Sequence, residues 1–144
     1  MARRLEGIAW RRLPPAALLA AAVAAGANAL IYLAASGLGL ISGTVAVATP
    51  AGNQPLAMAP VVISSILGTF AAALVFAVIA LIARRPDPLF RVVATVFLVL
   101  SLAAPLTIPD APAAMKVSLV LMHVVAWGVS VALLTTLARR RVEE

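Results

Sequence analysis

The sequence contains no cysteine, which excludes disulfide bonds, thiol redox chemistry and cysteine-based zinc or iron–sulfur sites. Charged residues make up only 11% of the 144 residues, and a single histidine accompanies five acidic residues. That set offers little material for a metal site or a catalytic triad. Because a soluble domain usually has about a quarter charged residues, this chain is not an ordinary soluble globule.

Hydrophobic residues dominate instead, at 64% of the chain, and the mean hydropathy is +1.11. Four apolar runs are each about as long as the roughly 20 residues that a helix needs to cross a bilayer. Backbone groups in lipid must be hydrogen-bonded internally, so each run predicts a helix. We therefore predict an all-α membrane protein, a single-domain transmembrane four-helix bundle with up-down-up-down topology. The predicted spans are residues 14–40, 60–83, 90–109 and 113–138, joined outside by a loop at 41–59.

The external loop at 41–59 is the only long connection. Residues 44–47 have β character, and residues 50–53 resemble a turn. The pattern favours a short external β-hairpin that returns through Leu56 and Met58. Because isolated hairpins are marginally stable, a coiled and partly inserted loop is the alternative prediction.

The basic residues are distributed asymmetrically about the four spans. Ten of the eleven fall on one side of such a chain, and Lys116 alone falls on the other. The positive-inside rule then predicts cytoplasmic N- and C-termini. The net charge of +6 reflects this topology and contact with anionic lipid headgroups. The sequence has no basic groove with interleaved aromatic residues, so it does not indicate nucleic-acid binding. The ten residues are Arg3, Arg4, Arg11, Arg12, Arg84, Arg85, Arg91, Arg139, Arg140 and Arg141.

The spans have no charged residue at their middles, but each has a polar residue near the expected bilayer midplane. These residues are Asn28, Thr69, Ser101 and His123. Pro105 would also free the backbone carbonyl of Ser101 at this level, because proline has no N–H to donate. One interpretation is that the four residues join the helices by hydrogen bonds. The other is that they form a small polar pocket that binds a ligand or a lipid group.

We expect no cofactor and no metal. A haem or pigment on His123 is an alternative, with Met115, Met122 or a second copy supplying the other ligand. Asp110 and Lys116 at the outer mouth suggest an ion pair or an exposed active site, but Asp110 suits a helix-capping role better. An enzyme would need Asp110 and His123 together, about 20 Å apart along a straight helix.

Small residues recur at four-residue spacing on three of the spans. Such stripes let helix backbones approach closely, either inside one chain or against another. The first span is so rich in alanine that its stripe is nearly unavoidable. The stripes are Ala21, Ala25 and Ala29; Ser64, Gly68 and Ala72; and Gly128, Ala132 and Thr136.

The second half of the chain resembles a family of bacterial four-span membrane proteins of unknown function. The resemblance rests on the Arg84–Arg85 turn, the Ser101-Leu102-x-x-Pro105 pattern and the Met122–His123 pair. It implies the bacterial inner membrane but no reaction or ligand.

Three functions follow from these patterns. The first is a non-enzymatic protein that acts by helix–helix association, either as a homo-oligomer or as an accessory subunit of a membrane complex. The second is passive binding or transport of a small apolar or neutral solute, or of a lipid group, at the polar layer. A membrane-embedded enzyme is the least favoured.

Overall fold

The computed structural model describes residues 9–49 and 52–138. Four helical segments in this part of the chain are long and apolar enough to cross a membrane, and a strand pair lies between the first two. The predicted fold class is therefore confirmed. After a 3-10 turn at Trp10–Arg12 come α1 (Leu13–Gly37), β1 (Ala46–Thr49), β2 (Gly52–Pro55), α2 (Met58–Ile82), α3 (Pro86–Ser101), α4 (Ala103–Leu106) and α5 (Ala113–Leu137).

The third span begins four residues earlier than we predicted, at Pro86 rather than at Phe90. Proline is well suited to the first turn of a helix because that turn needs no N–H donor. The carboxylate of Asp87 lies in the same turn, where it interacts favourably with the helix dipole. Residues that look like a loop by hydropathy are thus the first turn of the helix.

The same span ends earlier than predicted and contains a break. The helix is interrupted at Leu102, and the apolar helical segment ends at Leu106 rather than at Pro109. Pro105 has no N–H to donate to the carbonyl of Ser101, which accounts for a weak point at this position. α3 and α4 together form the third span.

The external loop contains a two-stranded antiparallel hairpin with Ala46 opposite Pro55 and Val47 opposite Gln54. The hairpin alternative is confirmed, but β2 is formed by residues 52–55, before Leu56 and Met58. Gly52 has a φ of +105°, a conformation that only glycine adopts without strain. Residues 50 and 51 of the predicted turn lie outside the described part of the chain.

Two apolar clusters hold the helices together at opposite ends. We call the first the arginine-end cluster: Ala16, Ala17, Ala73, Phe76, Ile79, Phe90, Leu134 and Ala138. The second is the hairpin-end cluster: Val45, Val47, Val61, Met115, Leu119 and Met122.

α1 is the central helix of the bundle. It packs extensively against both α2 and α5, and most of its buried residues are alanines. Small side chains let the neighbouring backbones approach it closely. The third span is peripheral. Only 11% of an apolar 18-residue stretch of it is buried inside the bundle, compared with 39% for the first span. Its main attachment is at the arginine end, where the rings of Phe90 and Phe76 have centroids 4.8 Å apart.

Four of the five arginines in the described residues lie at one end of the bundle, and Arg91 lies on α3 about a turn and a half from that end. Arg11 and Arg12 precede α1, and Arg84 and Arg85 lie between α2 and α3; all four are exposed. The backbone N–H of Ala9 donates to the carbonyl of Ala138 (2.8 Å), so both ends of the described chain meet there. Lys116 lies near the start of α5, at the hairpin end. Arg3, Arg4 and residues 139–141 lie outside the described residues.

Candidate functional site

A polar pair joins α1 to α2 in the interior of the bundle. Asn28 Nδ2 donates to Ser65 Oγ (2.9 Å), and Ser65 Oγ donates to the carbonyl of Val61 (2.7 Å). Because the hydroxyl proton of Ser65 is directed to Val61, its oxygen is left to accept from the Asn28 amide. This direction fixes the orientation of the amide.

A second polar contact joins α2 to α5. Ser130 Oγ lies 3.4 Å from Thr69 Oγ1, a long contact, and Thr69 Oγ1 donates to the carbonyl of Ser65 (2.9 Å). Both hydroxyl groups are buried. Asn28, Ser65, Thr69 and Ser130 therefore form one polar network across three helices, which we call the polar layer.

The polar layer contains one acceptor without a partner. Asn28 is only 4% exposed, and within residues 9–49 and 52–138 its Oδ1 has no hydrogen-bond donor. All hydroxyl protons of the layer are committed elsewhere.

The predicted site residues fall into two groups. Asn28 and Thr69 are both in the polar layer, whereas Ser101 and His123 are hydrogen-bonded within their own helices. Ser101 Oγ donates to the carbonyl of Leu98 (2.7 Å), and His123 Nδ1 lies 2.8 Å from the carbonyl of Leu119. The structure thus unites two of the four, and ligand binding by any of them stays a prediction.

Sequence reasoning did not include Ser65 and Ser130 in the site. Ser65 lies one turn before Thr69, and this spacing was the available signal that both share a helix face. Ser130 is an isolated serine in an apolar run, which by itself does not indicate its direction.

The small-residue stripes differ in where they face. Ala21 and Ala25 of the first stripe are buried inside the bundle. Gly68 of the second is exposed, Gly128 of the third is half-buried, and a Cβ added at either would meet nothing within 4 Å. Gly68 and the third stripe are therefore open to contacts outside this chain, whereas Ala72 of the second stripe packs against the arginine-end cluster.

The predicted capping role of Asp110 is wrong. The residue at the N-cap of α5 is Pro112, and no side chain caps this helix. Asp110 instead occupies an exposed turn with a φ of +56°, a left-handed conformation that aspartate tolerates better than most residues. Among the residues that the structure describes, Asp110 and Lys116 form no ion pair with each other.

No group of three or more histidine and acidic side chains in the described ranges is placed to hold a metal ion. His123 is half-buried, and its Nδ1 is engaged with its own helix. Only its Nε2 remains for any other partner.

Comparison with curated proteins finds no match, and comparison with solved structures finds none either. A family of unknown function, DUF6069, matches residues 8–142, nearly the whole chain. The chain, with four helices long and apolar enough to cross a membrane, belongs to the DUF6069 family.

Proposed function

We propose that this protein acts by lateral association of its helices in the membrane, without catalysing a reaction. The observation that carries the proposal is the outward position of Gly68 on α2, where a Cβ would meet nothing within 4 Å. Ser64 in the same stripe is also exposed. A groove of small residues on a lipid-facing helix lets a second helix approach closely.

The stripe on α5 supports the same proposal. Ala132 and Thr136 are exposed, and Gly128 has open space where a side chain would project. The hydroxyl of Thr136 is bonded to the carbonyl of Ala132 (2.6 Å), which leaves a smooth surface for packing. Two such surfaces favour a homo-oligomer or an accessory subunit in a larger membrane complex.

The proposed location is the bacterial cytoplasmic membrane, with both termini in the cytoplasm. The concentration of exposed arginines at one end of the bundle supports it, through the positive-inside rule. The proposed surroundings are anionic headgroups at that end and another membrane protein or a second copy within the bilayer. The proposal involves no nucleic acid and no cofactor. Absorption by haem or a pigment in the purified protein would contradict the expectation that no cofactor is bound.

Substitution of the stripe glycines tests the association. We expect Gly68→Leu or Gly128→Leu to reduce crosslinked oligomers or complexes in native membranes, because a bulky side chain keeps the partner helix away. Gly26→Leu is the matched control: Gly26 is exposed on α1, outside all three stripes, and also has open space at its Cβ. A wild-type protein that stays strictly monomeric and without a partner would contradict the proposal.

The unpartnered oxygen of Asn28 favours a second candidate function, passive binding or passage of a small neutral solute at the polar layer. A solute with a hydrogen-bond donor would satisfy Oδ1, which is otherwise costly to bury. Uptake of glycerol and urea into proteoliposomes measures this. Asn28→Leu should abolish protein-dependent uptake, and Ser64→Ala, on the exposed side of α2, should not. Uptake equal to that of protein-free liposomes would contradict this function.

A membrane-embedded enzyme remains the least favoured function. Asp110 lies in an exposed turn before α5, and His123 lies ten residues, about 15 Å, along α5 from its first residue, Ala113. An acid and a base at that separation cannot share a proton, which supports the non-enzymatic proposal.

A further inference from the structure

The outer face of α3 has a shallow, open furrow between its exposed side chains. Most of its lining is apolar, with an arginine at the end nearest the start of the helix. All six lining residues belong to this one peripheral helix. They are Arg91, Val92, Thr95, Val96, Val99 and Leu100.

Arg91 is an exposed cation within this otherwise apolar helix. It follows Pro86 by five residues, about 7.5 Å along the helix axis. In the part of the chain that the structure describes, its guanidinium makes no hydrogen bond or ion pair. A charged side chain at such a depth in a membrane needs a counter-ion or must extend to the headgroups.

The polar neighbours of Arg91 do not serve as its counter-ion. The hydroxyl of Thr95 donates to the carbonyl of Arg91 (2.7 Å) and so is committed to the backbone. Asp87 lies one turn earlier but is buried, at 5% exposed, and is engaged in an interaction of its own. Arg84 and Arg85, exposed just before the helix, add positive charge at the same end.

We propose that the furrow on α3 is a binding site for one anionic phospholipid. The lipid phosphate pairs with the guanidinium of Arg91, whose planar donor pair matches two phosphate oxygens. An acyl chain lies along Val92, Val96 and Val99. Positive charge at the head of the furrow and apolar side chains beyond it complement the two parts of such a lipid.

Native mass spectrometry tests the proposal on the full chain, released from nanodiscs of equimolar phosphatidylglycerol and phosphatidylcholine. We expect the wild type to retain phosphatidylglycerol preferentially. Arg91→Gln should lower that retention about fivefold, the effect of one arginine near anionic lipid. Arg84→Gln is the matched control, since it removes the same charge at the same end of the bundle but outside the furrow, and should change retention less than Arg91→Gln does.

Val96→Trp tests the apolar part of the site without changing charge. The indole fills the furrow, so we expect retention to fall although Arg91 is present. Circular dichroism establishes that each variant keeps its helices. If Arg91→Gln does not fold, Arg91→Lys replaces it, because lysine keeps the positive charge but not the paired donors. Three results would overturn the proposal. They are equal retention of the two lipids, equal losses of retention from Arg84→Gln and Arg91→Gln, and crosslinking of position 96 to a polypeptide rather than to lipid.

Discussion

Ser65 is the residue on which the polar layer depends, because it both accepts from Asn28 and donates to Val61. We expect Ser65→Ala to lower the free energy of unfolding by about 1–3 kcal/mol, since it leaves the whole Asn28 amide buried without a partner. Loss of helical signal during titration of the micelle-bound protein with dodecyl sulfate measures this change.

Asn28→Leu should restore part of that stability in the Ser65→Ala background. It removes the amide that Ser65→Ala leaves unpaired, together with the oxygen that has no donor within the described residues. Interhelical hydrogen bonds in membranes each contribute only about 0.6–2 kcal/mol, so the double variant should be more stable than Ser65→Ala alone. Strictly additive losses would show that the two side chains act independently.

His123 differs from these residues because its Nδ1 contacts a carbonyl of its own helix. We therefore expect His123→Leu to change the free energy of unfolding by less than about 1 kcal/mol. The same titration measures it. Disruption of the bundle by this substitution would mean that His123 joins helices, as one interpretation of the sequence suggests.

At the residue scale, the sequence predicts depth better than direction. Counting from the span ends gives Asn28 and Thr69 similar depths, and both belong to the polar layer. The same count includes Ser101, but the third span is peripheral and this side chain is bonded within α3. Which way a polar side chain faces depends on how the helices pack, which hydropathy does not specify.

At the element scale, the attachment of α3 depends on Phe90, which is 1% exposed and packs on Phe76. We expect Phe90→Ala to lower the free energy of unfolding by about 3 kcal/mol through lost packing. Phe97→Ala is the control, because Phe97 is 61% exposed on the same helix and should change stability by less than about 0.5 kcal/mol. Hydrogen exchange of the α3 amides would show whether this helix opens before the other helices. Equal losses of unfolding free energy from Phe90→Ala and Phe97→Ala would contradict the attachment of α3 through Phe90.

The ends of the elements show where sequence patterns are informative. The predicted bounds of the first, second and fourth spans agree with α1, α2 and α5 to within three residues. The bounds of the third span differ from the prediction at both ends. Proline breaks helices and aspartate is polar, yet Pro86 and Asp87 both suit the first turn of a helix. Pro105 weakens the helix at the other end. The hairpin was one of two predictions for its loop, since four-residue strands with little side-chain pattern give a weak signal.

At the scale of the whole molecule, four apolar helical segments place four of the five arginines of the described chain at one end. The arginine-end cluster joins the first residues of α1 to the last residues of α5, so both ends of the described chain lie on that side. The sequence predicts this arrangement almost completely, because span number and charge position determine it. Association and lipid binding are less accessible, since they depend on which faces remain open after packing.

The absence of cysteine makes the chain well suited to single-cysteine labelling, which tests the four-crossing topology most directly. Arg12→Cys and Arg85→Cys report on the arginine end, and Gly43→Cys and Thr107→Cys report on the hairpin end. When a membrane-impermeant maleimide is added to intact spheroplasts, we expect it to label positions 43 and 107 but not positions 12 and 85. After lysis, we expect positions 12 and 85 to be labelled as well. Labelling of positions 12 and 85 from opposite faces of the membrane would contradict the four-span bundle.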